Sequence, residues 1–258
     1  TNIPPPDIIV FILIAEIGAL VVAYPAIKET RKQHPKSRIC FITAPAGLQT
    51  LELMGFEKED IFLLETTSIK SLLKGIVNIR SHFKGMRVSA IVLEPFTRFS
   101  TLLSAWIGAS KRIGCYRFLN EGLYLGNILT HRLVYNPHLH MSQTYFALAK
   151  ALIEPDSAKP LLKEYIPSQI KNRLKINIPE KERQTLMKRL QSECPENPLK
   201  KIILLNANTS DIVPLRKWPL ENFVELSKRL LEDSEFTVVL TGSQEEKDVC
   251  VDLALQIN

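Results

Sequence analysis

The 258-residue sequence contains no C-x-x-C pair and no cluster of cysteine with histidine. Its four cysteines, Cys40, Cys115, Cys194 and Cys250, stand far apart. That spacing excludes a disulfide framework and a structural zinc site, and is expected of free thiols in a reducing compartment. There is no G-x-G-x-x-G and no P-loop, so neither a dinucleotide enzyme nor a P-loop NTPase is supported. Clustered Lys and Arg with interleaved aromatics are also missing, which argues against a nucleic-acid binder. A basic start followed by a small-residue cleavage site is absent, so no signal peptide is read. The sequence does not begin with Met, and its true start is expected upstream. Residues 8–27 are almost wholly apolar, but Glu16 at the centre would be costly in lipid, and Gly18 and Pro25 interrupt the run. A strand followed by a helix is the expectation there.

What is present is ordinary for a globular chain: 45% hydrophobic and 23% charged residues. At roughly 150 residues per domain, the length corresponds to somewhat under two domains. The net charge is +6, and it is unevenly placed. Residues 1–150 carry 17 Lys and Arg against 10 Asp and Glu, a net +7, whereas residues 151–258 carry 16 against 17, a net −1. An excess confined to one half implies an anionic partner for that half.

Strand-like apolar runs alternate with helical patterns. Strands are expected at 8–15, 38–43, 60–64, 90–93 and 111–115, a turn at 16–19, and helices at 20–33, 47–54, 68–83, 100–108 and 141–153. Alternation of this kind predicts an α/β fold with parallel sheets. In the helix at 68–83, Ile69, Leu72, Leu73, Ile76 and Val77 form an apolar stripe with Lys70, Lys74, Arg80 and Lys84 around it. It reads either as a surface helix with solvated lysines or as a basic face toward anionic lipid or a phosphorylated acceptor. Residues 116–140 read as a loop, and His138 and His140 in it as ordinary loop histidines rather than metal ligands. Residues 154–198, rich in Pro and Lys with one helix at 180–192, read as a connector. A second α/β unit then follows, with strands at 201–206 and 237–241 and helices at 220–232 and from 244. Two strands and two helices make a poor core alone, so the chain is expected to stop before this domain is complete. The domains are thus 1–153, a connector 154–198, and 199–258.

Ligands of open parallel sheets bind outside the carboxyl ends of the strands. The loops at 15–19, 94–99, 206–219 and 241–246 are therefore the places for chemistry. In 206–219, small polar residues precede Arg216-Lys217-Trp218-Pro219 and a helix, a combination suited to phosphate. It is equally that of a capping loop with a solvated Arg-Lys pair. In 241–246, Gly242 permits a tight turn, and a following carboxylate could hold a ribose hydroxyl.

Four segments occur in order: G-A-L-V-V-A-Y-P-A-I from Gly18, G-A-S-K-R-I-G from Gly108, W-P-L-E-N-F from Trp218, and V-V-L-T-G-S-Q-E-E from Val238. Together they resemble glycosyltransferase family 9, the ADP-heptose:lipopolysaccharide heptosyltransferases. The motifs are short, and their order and spacing over nearly the whole chain carry the resemblance. It implies a GT-B fold of two Rossmann-like domains facing across a cleft. The first would take the acceptor, an anionic lipid-linked core oligosaccharide, and the second the nucleotide sugar, ADP-heptose or a similar donor. Transfer would invert the anomeric centre and use neither metal nor cofactor. The protein would work at the cytoplasmic face of the inner membrane as a peripheral protein.

Carried over residue by residue, the resemblance gives Thr209, Ser210, Arg216, Lys217 and Glu246 as nucleotide-sugar contacts. Arg216 stands where the family has Lys, and Glu246 would hold the ribose. On the acceptor side it gives Gly18, Arg98, Arg112 and Arg117. The family's usual G-D turn reads Gly18-Ala19 here. An inverting transfer needs a base for the acceptor hydroxyl's proton. Glu16 is the first candidate for it, with a pKa expected to be raised by apolar surroundings, and Glu94 is the second. The competing reading makes Glu16 structural and the protein a catalytically inactive relative that binds a glycan, a lipid or a partner.

Overall fold

The computed structural model describes residues 5–118, 127–154, 166, 174–193, 201–207 and 217–257. The chain divides into two units, residues 1–176 and 177–258. The division falls inside the connector expected at 154–198.

The first unit is built on a six-stranded sheet, all parallel: β1 (Ile8–Ile12), β2 (Arg38–Thr43), β3 (Ile61–Leu63), β4 (Val88–Val92), β5 (Lys111–Phe118) and β6 (His131–Tyr135). Their spatial order is β3-β2-β1-β4-β5-β6. The chain runs outward from β1 in one direction, then returns and runs outward from β4 in the other, the order of a doubly wound dinucleotide-type sheet. All five residues of β1 are buried. Because strand side chains alternate between faces, Ile9 and Phe11 enter one core and Ile8, Val10 and Ile12 the other. Each such side chain contributes about 1.5–3 kcal/mol when fully buried, so β1 is the axis of the unit. Phe11 stacks on Phe41 of β2, ring centroids 5.9 Å apart.

Helices cover both faces. The first core takes residues of α1 (Ile17–Gln33), α2 (Leu48–Leu53) and α5 (Met141–Lys150). The second takes residues of α3 (Ile69–His82) and α4 (Arg98–Trp106). Pro25 does not break the first helix: α1 runs through it unbroken to Gln33. Proline withholds one backbone donor, and Val21, four residues earlier, is exposed to solvent. Among the described residues no helix is long and apolar enough to cross a membrane; the apolar run at 8–27 is β1 followed by the first turns of α1.

The region expected to be a loop between β5 and α5 contains β6, which pairs with β5 from Ile113↔His131 to Phe118↔Tyr135. His138 and His140 are not on a strand. His140 is the N-cap of α5 and forms a capping box with Gln143. In the second unit, β7 (Lys201–Leu205) and β8 (Phe236–Leu240) pair in parallel. α6 (Glu180–Glu193), α7 (Leu220–Leu231) and α8 (Lys247–Ile257) complete what is described of it. Among the described residues Cys40, Cys115 and Cys250 form no disulfide. Burial pushes the Cys40 and Cys115 thiols up to about 12, which leaves them inert as nucleophiles.

Candidate active site

The reversal of strand order between β1 and β4 opens a crevice at their carboxyl ends, the place where such sheets take ligands. The segment after β1 carries Glu16, and the segment after β4 carries Glu94. The two carboxylates have different surroundings.

Glu94 is 7% exposed. Its Oε1 accepts from the backbone N–H of Ile14 at 3.0 Å and of Ala15 at 2.8 Å. Its Oε2 accepts from the Ser100 hydroxyl, on the first turns of α4. Three donors on one buried carboxylate tie the end of β1, the end of β4 and the start of α4 together. Glu94 is therefore committed to shaping the turn that presents Glu16.

Glu16 occupies the N-cap position of α1 in extended backbone, φ −126°, ψ 106°, and makes no capping hydrogen bond. It is exposed, so the apolar surroundings expected for it are not found: the run that flanks it in sequence turns inward as β1 and α1, and Glu16 sits on the outward bend between them. Ala19, where the family turn has Asp, lies in the first turn of α1 and packs on the first core. Gly18 is not demanded by the fold, since a Cβ there would meet nothing within 4 Å. It is exposed in the first turn of α1.

Among the helices of the first unit, α3 and α5 carry side-chain caps and α1, α2 and α4 do not. Ser68 caps α3 and His140 caps α5. Neither α1 nor α4 has a side-chain cap or an acidic residue in its first turn. Orphan N–H groups and the positive end of the helix dipole thus attend the crevice twice over, an arrangement favourable to anions. Arg98, the first residue of α4, is exposed at the same end.

Two tyrosines that the sequence did not single out also belong here. Tyr145 of α5 is buried, and burial first, then the nearby charges of Glu16 and Glu94, drive its pKa upward. Its phenol therefore stays protonated beside both carboxylates. Tyr135, at the end of β6, meets the half-exposed Phe96 edge to face at 5.1 Å. Tyr135 lay in the presumed loop, and Tyr145 stands at helical spacing among apolar residues, so neither gave a signal.

Arg112 is placed elsewhere. It lies at the amino end of β5, where its guanidinium donates to the carbonyls of Ile128 and Ala109, both at 2.7 Å, and of Ser110 at 3.5 Å. It clamps backbone at the opposite end of the sheet, so the acceptor contact expected of it is not supported by its position. The glycines of the same motif are structural too. Gly108 has φ +86°, a conformation few other residues adopt. A Cβ on Gly114 would press on Leu129 and Val92 at 3.2–3.3 Å. Arg117 falls in the second half of β5, its backbone in register with Val134; its side chain lies outside the described residues.

In the second unit, Thr209, Ser210 and Arg216 lie outside the described residues. Lys217 is exposed just before α7, beside Trp218, whose ring meets Phe223 edge to face at 4.8 Å. At the carboxyl ends of the two strands, the N–H of Thr241 donates to the carbonyl of Leu205 at 2.9 Å and joins β8 to β7. Glu246 follows in a capping box with Ser243, its Oε2 accepting from the Ser243 N–H at 2.6 Å. The carboxylate is thereby fixed in the loop that follows β8.

The fold is a doubly wound α/β sheet followed by a second α/β unit, and in such sheets ligands are taken at the carboxyl ends of the strands. The model of glycosyltransferase family 9 (heptosyltransferase) matches residues 84–256, about two thirds of the chain. The chain belongs to that family and is a glycosyltransferase. Among solved structures it is similar to a family 9 glycosyltransferase from Veillonella parvula, with 17% identity, a TM-score of 0.69, and coverage of 98% of this chain and 67% of that one. It is also similar to the E. coli heptosyltransferase WaaC with ADP-2-deoxy-2-fluoro heptose, with 13% identity, a TM-score of 0.61, and coverage of 96% and 73%. WaaC with ADP gives the same TM-score at 12% identity, with coverage of 96% and 72%. Among curated proteins none matches.

Proposed function

We propose that the protein transfers a heptose, or a similar sugar, from an ADP-sugar to an anionic glycolipid such as the lipopolysaccharide core, with inversion at the anomeric carbon and without a metal. The observation that carries this reading is the exposed Glu16 at the crevice between β1 and β4, on a turn braced by Glu94. Glu16 takes the proton of the acceptor hydroxyl as that oxygen attacks the anomeric carbon and the diphosphate departs. The open N-termini of α1 and α4, with Arg98 beside them, hold acidic or phosphorylated groups of the acceptor. On the donor side, Glu246 Oε1 accepts from a ribose hydroxyl, and Lys217 with Arg216, Thr209 and Ser210 meets the diphosphate, whose developing charge these groups stabilise. The known ligands of WaaC, ADP and a fluorinated ADP-heptose, support ADP as the nucleotide. The acceptor is anchored in a bilayer, so the enzyme would reach it from the cytoplasmic surface of the inner membrane as a peripheral protein.

The test follows ADP release from ADP-heptose with and without deacylated lipopolysaccharide core, a water-soluble acceptor. Acceptor-dependent release is expected. If none occurs, thermal shifts with ADP, UDP and GDP separate a different donor, which would stabilise with another nucleotide, from an inactive relative, which would respond to none.

A further inference from the structure

The outer side of α3 is unusually apolar for a surface exposed among the described residues. Ile69, Leu73 and Val77 are 77%, 55% and 60% exposed. At about 100° per residue, they share an arc of about 140° with Arg80, Lys70 and Lys74. The inward side carries Ile76 and Ile79, which are buried in the second core. Apolar side chains therefore occupy both the buried side of this helix and the flank beside it. Arg80 reaches the neighbouring helix, where its Nη1 donates to the carbonyl of Trp106 at 2.6 Å. The Trp106 ring at the end of α4 is itself 44% exposed. Phe99 supports that ring edge to face at 6.4 Å.

Charge decides what such a face can meet. Residues 66–93 contain Lys70, Lys74, Arg80, Lys84 and Arg87 and no Asp or Glu. Of these, Arg87 is paired with Asp7. The nearest acids in sequence are Glu65, before the helix, and Glu94, which is buried and bonded on both oxygens. A second copy of the chain is disfavoured, because it would set Lys70, Lys74 and Arg80 against cations of the same kind.

We propose that the α3 face, with Ile69, Leu73 and Val77 inserting and Lys70 and Lys74 beside them, is the surface on which this protein docks to an anionic lipid bilayer. A helix of this composition lies in the plane of the membrane interface, apolar side chains among the acyl chains and cations among the headgroups. Trp106 sits where an indole is favoured, with one edge apolar and the other wet. The inference gives a location to the membrane contact proposed above, and its test does not depend on turnover.

The experiment is co-sedimentation of the intact protein with vesicles of equal parts phosphatidylglycerol and phosphatidylethanolamine, against vesicles of phosphatidylcholine alone. Binding to the anionic vesicles, weakened by salt and at least about tenfold tighter than to the neutral ones, is expected. The variant Ile69→Ser/Leu73→Ser/Val77→Ser should weaken it at least about tenfold, and Lys70→Glu/Lys74→Glu at least about thirtyfold. All five side chains are exposed, so the thermal midpoints should stay at the parent value. ADP release with the water-soluble acceptor should be unchanged in both variants, which separates failure here from failure of the transferase reading. Absence of binding to anionic vesicles overturns the proposal, as does binding that both variants retain. Self-association or capture of an acidic protein through this face, without vesicle binding, overturns it in favour of a protein partner.

Discussion

The two ends of the six-stranded sheet are made of similar residue types and treat them in opposite ways. At the amino ends of the strands, charge is consumed within the protein. Arg87 clasps Asp7 with two nitrogens, Arg38 pairs with Asp60, Arg112 donates to three carbonyls, and Lys111 donates to the carbonyls of Leu152 and Glu154. At the carboxyl ends beside the crevice, α1 and α4 begin without side-chain caps, and Glu16 makes no capping bond. One end closes the strand starts, and the other leaves donors, dipoles and a carboxylate for a ligand. The basic excess of the first 150 residues is therefore not all available to an anionic substrate. Part of it holds the scaffold together.

Substitutions at the two ends should therefore separate activity from stability. The largest effect belongs to Glu16→Gln. The side chain is exposed and makes no capping hydrogen bond, so the thermal midpoint and ADP binding should hold while turnover falls at least about a hundredfold. Full activity in this variant would remove Glu16 as the base. Next comes Glu94→Ala, which strips the Ile14 and Ala15 amides and the Ser100 hydroxyl of their acceptor. The Ser100 hydroxyl is buried and the two amides only partly so; an unpaired buried donor costs about 1–3 kcal/mol and water can serve the amides, so chemical denaturation should show a loss of about 2–4 kcal/mol together with lower turnover. A variant of parental stability but no activity would instead point to Glu94 as the base.

These two carboxylates also show where the sequence stops being legible. The sheet was readable because its central strands are apolar runs separated by helical patterns: β2 coincides with its expected run, β1 ends three residues before its run does, and β4 begins two residues earlier than expected. β6 was not, because His131-Arg132-Leu133-Val134-Tyr135 is a partly exposed edge strand that opens on two polar residues. Glu94 and Glu16 could be picked out as carboxylates after strands. Their division of labour could not, since the Glu94 donors on the β1 side lie 79 and 80 residues away in the chain. Arg112 misled for the converse reason. Its motif was legible, but a cation at the start of a strand and one at its end look alike in sequence, and only the sheet shows which end faces a ligand.

Arg112→Ala tests that last distinction directly. Loss of a guanidinium that satisfies several carbonyls should cost about 1–3 kcal/mol in denaturation, with turnover per folded molecule unchanged. A raised KM for the acceptor at parental stability would return Arg112 to the substrate site.

The smallest effect concerns pH and the Asp7–Arg87 pair. Hydrogen bonds from the Arg87 side chain and backbone lower the Asp7 carboxyl from its ordinary value to about 2. The folded pKa therefore lies below the unfolded one, near 4. Stability from this pair is complete above about pH 4 and is lost as pH falls toward 2, because the unfolded chain takes up the proton first. The pair is solvent-exposed, so the contribution is small and further reduced by salt. Asp7→Asn should leave the thermal midpoint nearly unchanged at pH 2, where the native carboxyl has itself begun to protonate, and lower it slightly at pH 6. Turnover at pH 7 should not move, since the pair lies at the end of the sheet opposite the proposed site. A shift of equal size at both pH values would mean that Asp7 acts through its backbone geometry, and a change in turnover would break the division between the two ends.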